Sequence, residues 1–129
     1  MKIGVLKESY PGERRVALVP GNVAQLEKAG FEVWIEEGAG DAAGYSDEDY
    51  TNAAARVASR ETLRDFQLLL QVRSLGANPE YGEADLELLS AGGYVIGTCD
   101  PLGNPAAIEQ LARRGLNPVS YTHLRAHET

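Results

Sequence analysis

Ile3-Gly4-Val5-Leu6, then Pro20-Gly21-Asn22-Val23-Ala24-Gln25-Leu26-Glu27-Lys28-Ala29-Gly30, then at once Phe31-Glu32-Val33-Trp34-Ile35 decide the fold class. The two outer runs are short, apolar and rich in branched or aromatic residues, the composition of strands buried on both faces. Between them, Pro20 stands where a first helical turn tolerates a residue without an N–H. Val23, Leu26 and Ala29 keep one face apolar, and Gly30 supplies the stop. Strand, helix and strand in this order predict a right-handed βαβ unit with parallel strands.

The same grammar continues along the chain. Apolar runs over 68–72, 94–97 and 116–120 read as further strands, and Arg56-Val57-Ala58 as a weak one. Ser46-Asp47-Glu48-Asp49 resembles a capping box opening a helix through Ala55. Helices over 79–89 and 105–114 each start on a proline, the second with Ala107, Ile108, Leu111 and Ala112 inward and Gly115 closing it. Repeating units of roughly 25–35 residues predict a doubly wound α/β domain around a parallel sheet, flavodoxin-like or Rossmann-like in kind.

Composition bounds the rest. The chain has 129 residues, 43% of them hydrophobic and 24% charged, which suits one globular domain. Twelve Lys and Arg against 19 Asp and Glu leave a formal charge of −7, the wrong sign for a nucleic-acid binder. One cysteine, Cys99, excludes a disulfide framework and fits a reducing compartment. The longest uncharged stretches, such as 88–99, are too short to span a bilayer, and Met1-Lys2 leads directly into the first strand without a secretory signal. A cytosolic or cytosol-facing protein is the expectation.

Both histidines, His123 and His127, fall in the last seven residues. Their i, i+4 spacing offers two ligands but no third from a convincing context, so no metal site is expected. The composition changes after Ser120, and Tyr121-Thr122-His123-Leu124-Arg125-Ala126-His127-Glu128-Thr129 resembles translated adapter sequence more than the end of a domain.

Three places invite a chemical reading. Lys7-Glu8-Ser9-Tyr10-Pro11-Gly12-Glu13-Arg14-Arg15 follows the first strand, at the carboxyl end where open α/β sheets bind ligands. Two adjacent guanidiniums there can clamp a carboxylate or phosphate, or can simply pair with Glu8 and Glu13 to hold the loop. Gly38-Ala39-Gly40-Asp41-Ala42-Ala43-Gly44 imitates a dinucleotide loop, yet acids flank it and the better helix start is Ser46, so it reads as a surface loop. Cys99-Asp100 ends the strand over 94–97. With both histidines in the foreign-looking tail and none elsewhere to act as base, Cys99 reads as packing, while Asp100 and Arg73 are candidates for a cleft lining.

Gly4-Val5-Leu6-Lys7-Glu8, then Glu13-Arg14-Arg15-Val16-Ala17-Leu18-Val19-Pro20, then Val23, Leu26 and Gly30 resemble the N-terminal signature shared by alanine dehydrogenases and the alpha subunit of proton-translocating NAD(P) transhydrogenases. Glu36-Glu37-Gly38-Ala39-Gly40 and Leu68-Leu69-Leu70-Gln71-Val72 continue the likeness in register. It covers residues 1–120, which therefore read as the N-terminal lobe of a two-lobed protein, with 121–129 an unrelated tail. In the alanine dehydrogenases a lysine that holds the substrate carbonyl follows the strand over 68–72, and the matching residue here is Arg73. A catalytic histidine ends the next strand there, whereas this sequence has Asp100. Arg15, which matches the arginine on the pyruvate carboxylate, is retained. Loss of the lysine and the histidine removes that branch's acid–base chemistry, and Asp100-Pro101-Leu102-Gly103-Asn104-Pro105 is also transhydrogenase-like.

For the intact protein the resemblance implies hydride transfer between NADH and NADP⁺ coupled to proton movement, with NAD(H) and NADP(H) as cofactors. Its partners are membrane-embedded and NADP-binding transhydrogenase subunits, and it is a homodimer on the cytosolic face of the inner membrane. The family's Arg-Ala-Gln-Ser-like NAD contact loop and its GxGxxG domain do not occur in these residues. No cofactor is therefore expected on this stretch alone, nor activity from it. The alternatives are a fragment of an alanine dehydrogenase, which deaminates alanine oxidatively with NAD⁺, and a non-enzymatic module that holds a small anion through Arg14 and Arg15.

Overall fold

A computed structural model describes residues 1–73, 82–98, 113 and 115–119. Six strands form one sheet: β1 (Lys2–Val5), β2 (Glu32–Glu36), β3 (Arg56–Ala58), β4 (Phe66–Arg73), β5 (Leu89–Thr98) and β6 (Asn117–Val119). Every adjacent pair is parallel, in the order β3-β2-β1-β4-β5-β6. That is the Rossmann order rather than the flavodoxin one, and its direction of growth reverses between β1 and β4.

Helix α1 (Pro20–Lys28) begins on its proline and stops at Gly30, whose φ of +95° is the left-handed turn that a glycine accepts without steric cost. Helix α2 (Asp47–Asn52) carries the expected reciprocal cap: Asp49 N–H donates to Ser46 Oγ at 3.2 Å, and Ser46 N–H to Asp49 Oδ2 at 2.9 Å. It ends before Ala55 because Ala54 adopts φ +77°, which no helix continues. The helix expected over 79–89 is a 3₁₀ segment, Gly82–Leu88, within the described residues. Leu89 already belongs to β5. Of the helix expected over 105–114 only Arg113 is described, and it is helical.

Two apolar layers flank the sheet. On one face Val5, Val33 and Ile35 pack with Leu18, Val23, Tyr50 and Ala55 beneath the two helices. Tyr50 is fully buried, and its hydroxyl donates to the Leu18 carbonyl at 2.7 Å, tying α2 to the approach to α1. Burial pushes its phenol up to about 12, so the hydroxyl remains a donor. On the other face Leu6, Leu63, Phe66, Leu69 and Leu88 form a second layer. A third cluster, Leu86, Val95 and Leu116, sits toward β6. Tyr94, on β5 beside Leu68, stays 49% exposed.

Candidate functional site

Reversal of strand order places the carboxyl ends of β1 and β4 at the point where the two flanking loops diverge, the usual ligand crevice of an open α/β sheet. Here the chain puts its own carboxylate there. Glu8, three residues past β1, accepts Val72 N–H on Oε2 and Arg73 N–H on Oε1, both at 3.0 Å. Burial raises its carboxyl above the ordinary 4.5; the two backbone donors oppose the rise, and the charges of Glu13 and Asp85 add to it. No glycine-rich turn follows β1, and a pyrophosphate at this crevice would meet Glu8. The residues present therefore do not fit a dinucleotide at this lobe's own switch point.

Beside Glu8 stands a cluster built on a tight turn. Tyr10-Pro11-Gly12-Glu13 closes with Glu13 N–H on the Tyr10 carbonyl at 3.0 Å, and Gly12 takes φ +83°, the pattern of a type II turn. The turn presents a Glu13 side chain that is only 4% exposed. Arg15 donates to it three times, from its backbone N at 3.0 Å and Nε at 2.9 Å to Oε2, and from Nη2 at 2.8 Å to Oε1. Arg73, from the end of β4, donates through Nε to Oε1 at 2.9 Å, and its guanidinium lies 4.1 Å over the Tyr10 ring. The Arg15 bonds, helped by Arg73 and opposed by burial, hold the Glu13 carboxyl down to about 2.

Arg15 and Arg73, distant in sequence, thus meet on one carboxylate. Asp100, the third candidate for this cleft, lies outside the described residues, as do Cys99, His123 and His127. The expected pairing of acids with the two adjacent arginines takes another form. Glu13 folds back two residues to chelate Arg15, an arrangement that Arg14 in between cannot join. Arg14 is exposed with no bond to a described residue, and Glu8 binds backbone rather than arginine.

The glycine run behaves as a surface loop. Gly38 and Gly44 take φ of +77° and +92°, and Gly38 N–H is already taken by Asp47 Oδ1 at 2.9 Å. A Cβ on Gly40 would lie 2.7 Å from the Tyr50 ring, so this glycine is there for packing. The helix starts only at Asp47.

A second polar cluster, not singled out from the sequence, lies on the same carboxyl-end rim. Arg60 Nη2 donates to Asp85 Oδ1, and Nη1 to Glu36 Oε1 at 3.3 Å; Lys7 N–H reaches the same Glu36 oxygen at 3.3 Å. Gln71 Nε2 donates to Asp85 Oδ2 at 2.7 Å, which leaves Gln71 Oε1 buried without a partner. A bond to a carboxylate outweighs the neutral one forgone. Burial raises the carboxyls of both Asp85 and Glu36 despite these donors. Burial alone would lower Arg60, but Asp85 and Glu36 outweigh it and hold its proton more tightly. At Asp85 burial therefore exceeds the pairing, while at Arg60 pairing exceeds burial, as expected when the acid is the deeper partner. The sequence signal was Gln71, a polar residue inside the apolar run over 68–72.

These shifts fix how stability follows pH. Glu8, Glu36 and Asp85 bind protons more readily folded than unfolded, so they destabilise at neutral pH and cease to as the pH falls through their raised values. Glu13 does the reverse, its contribution being lost as pH falls from its ordinary 4.5 toward about 2. The unfolding midpoint is expected to rise from pH 8 to about pH 5 and fall below about pH 4. Circular-dichroism melts across that range check it, and a steady decline from neutral pH contradicts it.

Residues 4–129 match the family described as alanine dehydrogenase/PNT, N-terminal domain. The chain belongs to this family. It is 35% identical over 122 residues to the NAD(P) transhydrogenase subunit alpha of Cereibacter sphaeroides, covering 93% of this chain and 22% of that subunit. The solved transhydrogenase from Sinorhizobium meliloti superposes with a TM-score of 0.81 at 32% identity, over 93% of this chain and 33% of that one. A solved L-alanine dehydrogenase gives 0.79 at 32% identity, over 94% and 32%. The alanine dehydrogenase/PNT N-terminal fold is therefore shared by both branches, whose names are those of oxidoreductases, and this chain spans about a third or less of these relatives. Among the described residues no helix is long and apolar enough to cross a membrane.

Proposed function

We propose that this chain is the N-terminal lobe of the NAD(H)-binding component of a proton-translocating NAD(P) transhydrogenase. The intact assembly passes a hydride between NADH and NADP⁺ and couples it to proton movement through membrane-embedded partners, with this component a homodimer on the cytosolic face. The observation that carries the reading is Arg73. Where the alanine dehydrogenases have a lysine, this chain has a guanidinium bound to Glu13 and stacked on Tyr10. A guanidinium stays charged at any physiological pH, so this position holds geometry and transfers no proton. Within that assembly the lobe supplies one wall of a cleft, with Arg15 and Arg73 at its rim and Asp100, outside the described residues, as the third candidate from the sequence; the nicotinamides carry the redox chemistry. Tyr94, half-exposed on β5, is consistent with a lobe completed by further elements.

A version of the chain extended through a dinucleotide-binding lobe, assembled with its partners, is expected to transfer hydride from NADH to an NADP⁺ analogue and to show no L-alanine-dependent reduction of NAD⁺. Turnover of L-alanine would move the protein to the other branch. The 129 residues alone are expected to bind NADH no tighter than millimolar by calorimetry; micromolar binding would overturn the assignment of the cofactor site to another lobe.

A further inference from the structure

Among the described residues, and apart from Tyr50, the buried polar side chains are Gln71 on β4 and Asp85 on the 3₁₀ segment Gly82–Leu88, and they are bonded to each other. Gln71 Nε2 donates to Asp85 Oδ2 at 2.7 Å, Arg60 Nη2 takes Asp85 Oδ1, and Gln71 Oε1 has no partner. A side-chain amide carries donors on one side and an acceptor on the other, so half a turn about its last bond exchanges them. We infer that Gln71 and Asp85 form a proton-operated clasp. Ionised, Asp85 accepts from Gln71 Nε2 and anchors Arg60; protonated at Oδ2, it donates to Gln71 Oε1 once the amide has turned over, and its hold on Arg60 weakens.

Nothing but Asp85 pins the amide in its present sense. Because Gln71 Oε1 bonds to nothing, turning it over breaks only the bond to Asp85, which re-forms in the opposite direction. Asp85 is also the acid of this cluster whose partner serves both of its forms. Glu8 faces the N–H groups of Val72 and Arg73, and Glu36 faces Arg60 and the Lys7 N–H; all of these donate and none can accept from a carboxylic O–H. A proton has reason to enter, too. The charged groups around Asp85 are Arg60 from the turn after β3, Glu36 from the end of β2 and Glu8 from the loop after β1, three carboxylates to one guanidinium. Burial raises all three acids, and the charge of Asp85 adds to the rise at Glu8 and Glu36, so neutralising Asp85 relieves both neighbours. With Asp85 neutral, the Arg60 bond is no longer one between two charges and loses about half its strength. Acid therefore slackens the tie between the turn after β3 and the segment leading into β5, while Gln71 and Asp85 stay bonded. The clasp does not depend on the proposed transhydrogenase role.

The test is an NMR titration of the isotopically labelled 129-residue chain downward from pH 8. It follows the Asp85 carboxyl carbon and the nuclear Overhauser contact between the Gln71 side-chain NH₂ and the Asp85 β-protons. The carboxyl is expected to titrate above the ordinary aspartate value of 3.8, and the contact to be present at pH 8 and lost with the same midpoint. Asp85→Asn sets Nδ2 where the protonated Oδ2 would stand, with its oxygen still toward Arg60. It should lock the amide in the reversed sense, so that the contact from Gln71 NH₂ to residue 85 is missing even at pH 8. Should Asp85→Asn not fold, the wild-type titration decides alone. A contact that persists while the carboxyl titrates overturns the inference, because the amide has then not turned. So does an Asp85 that titrates at or below 3.8, a chain that unfolds before Asp85 takes up its proton, or a folded Asp85→Asn that keeps the contact.

Discussion

Replacing Arg60 with alanine is expected to destabilise the protein by about 3 kcal/mol, with a loss that shrinks toward acidic pH. Arg60 is the cation between Asp85 and Glu36, and its removal leaves both acids on one rim with nothing of opposite charge between them. Asp85 is the costly one, its side chain 5% exposed and left with Gln71 as its donor. Breaking a buried pair typically costs about 3–5 kcal/mol, and the lower end applies because the Arg60 side chain is itself 37% exposed and partly screened. Acidification reduces the penalty because Asp85 and Glu36, already raised by burial, take up protons and cease to need the guanidinium. Asp85→Asn in the Arg60→Ala background should recover about 1 kcal/mol or more, a non-additivity that two independent surface sites would not show. Urea unfolding at pH 5 and pH 8 measures all of this. A loss below about 1 kcal/mol, equal at both values, would mean the cluster is solvated and adds little.

What the sequence disclosed and what it hid divide along the range of the interactions involved. The βα alternation was readable because both signals are local: strands buried on two faces appear as unbroken apolar runs, and α1 and α2 carry their own start signals in Pro20 and Ser46. Strand order was not readable. β4 lies on the far side of β1 from β3, yet residues 59–65 make that crossing with only a 3₁₀ turn, Arg60–Thr62. Parallel crossovers usually take about a dozen residues or more, so nothing in this segment announces one. The beginning of β5 was missed for another reason. Gly92 at φ +78° and Gly93 interrupt the apolar pattern, and the register to β4 shifts between the Phe66–Leu89 and Leu68–Tyr94 pairs. At the site the same division holds. Arg15 and Arg73 could be proposed because one lies in the loop that follows β1 and the other at the end of β4, but the bond from Arg73 to Glu13 spans 60 residues. The Arg60–Asp85–Gln71 cluster depends on where two crossovers run, which no local pattern encodes.

Gly4→Val is expected to cost about 3 kcal/mol, and most of that loss should depend on Phe66. A Cβ at position 4 would stand 2.6 Å from Phe66 Cδ2, closer than real contacts allow, so one of the two must move. Phe66 has little freedom to do so. Its ring is fully buried against Leu6, Leu63, Leu69 and Leu88, and Lys2 Nζ caps it at 5.0 Å while also lying 4.9 Å over Trp34 and donating to the Arg64 carbonyl at 2.7 Å. The strand cannot yield either, since Gly4 is in register with Trp34 on one side and Leu69 on the other, in the middle of the sheet. Phe66→Leu alone removes ring volume and should cost about 1–2 kcal/mol through the space left behind. Combined with Gly4→Val it should cost less than the two separately, by about 1 kcal/mol or more, because the added methyl groups fill the space the ring vacated. Trp34, the chain's one tryptophan, packs against the same layer and makes urea unfolding directly visible by fluorescence. Additive losses would show that the ring swings aside unaided, and the steric reason for glycine at position 4 would then disappear.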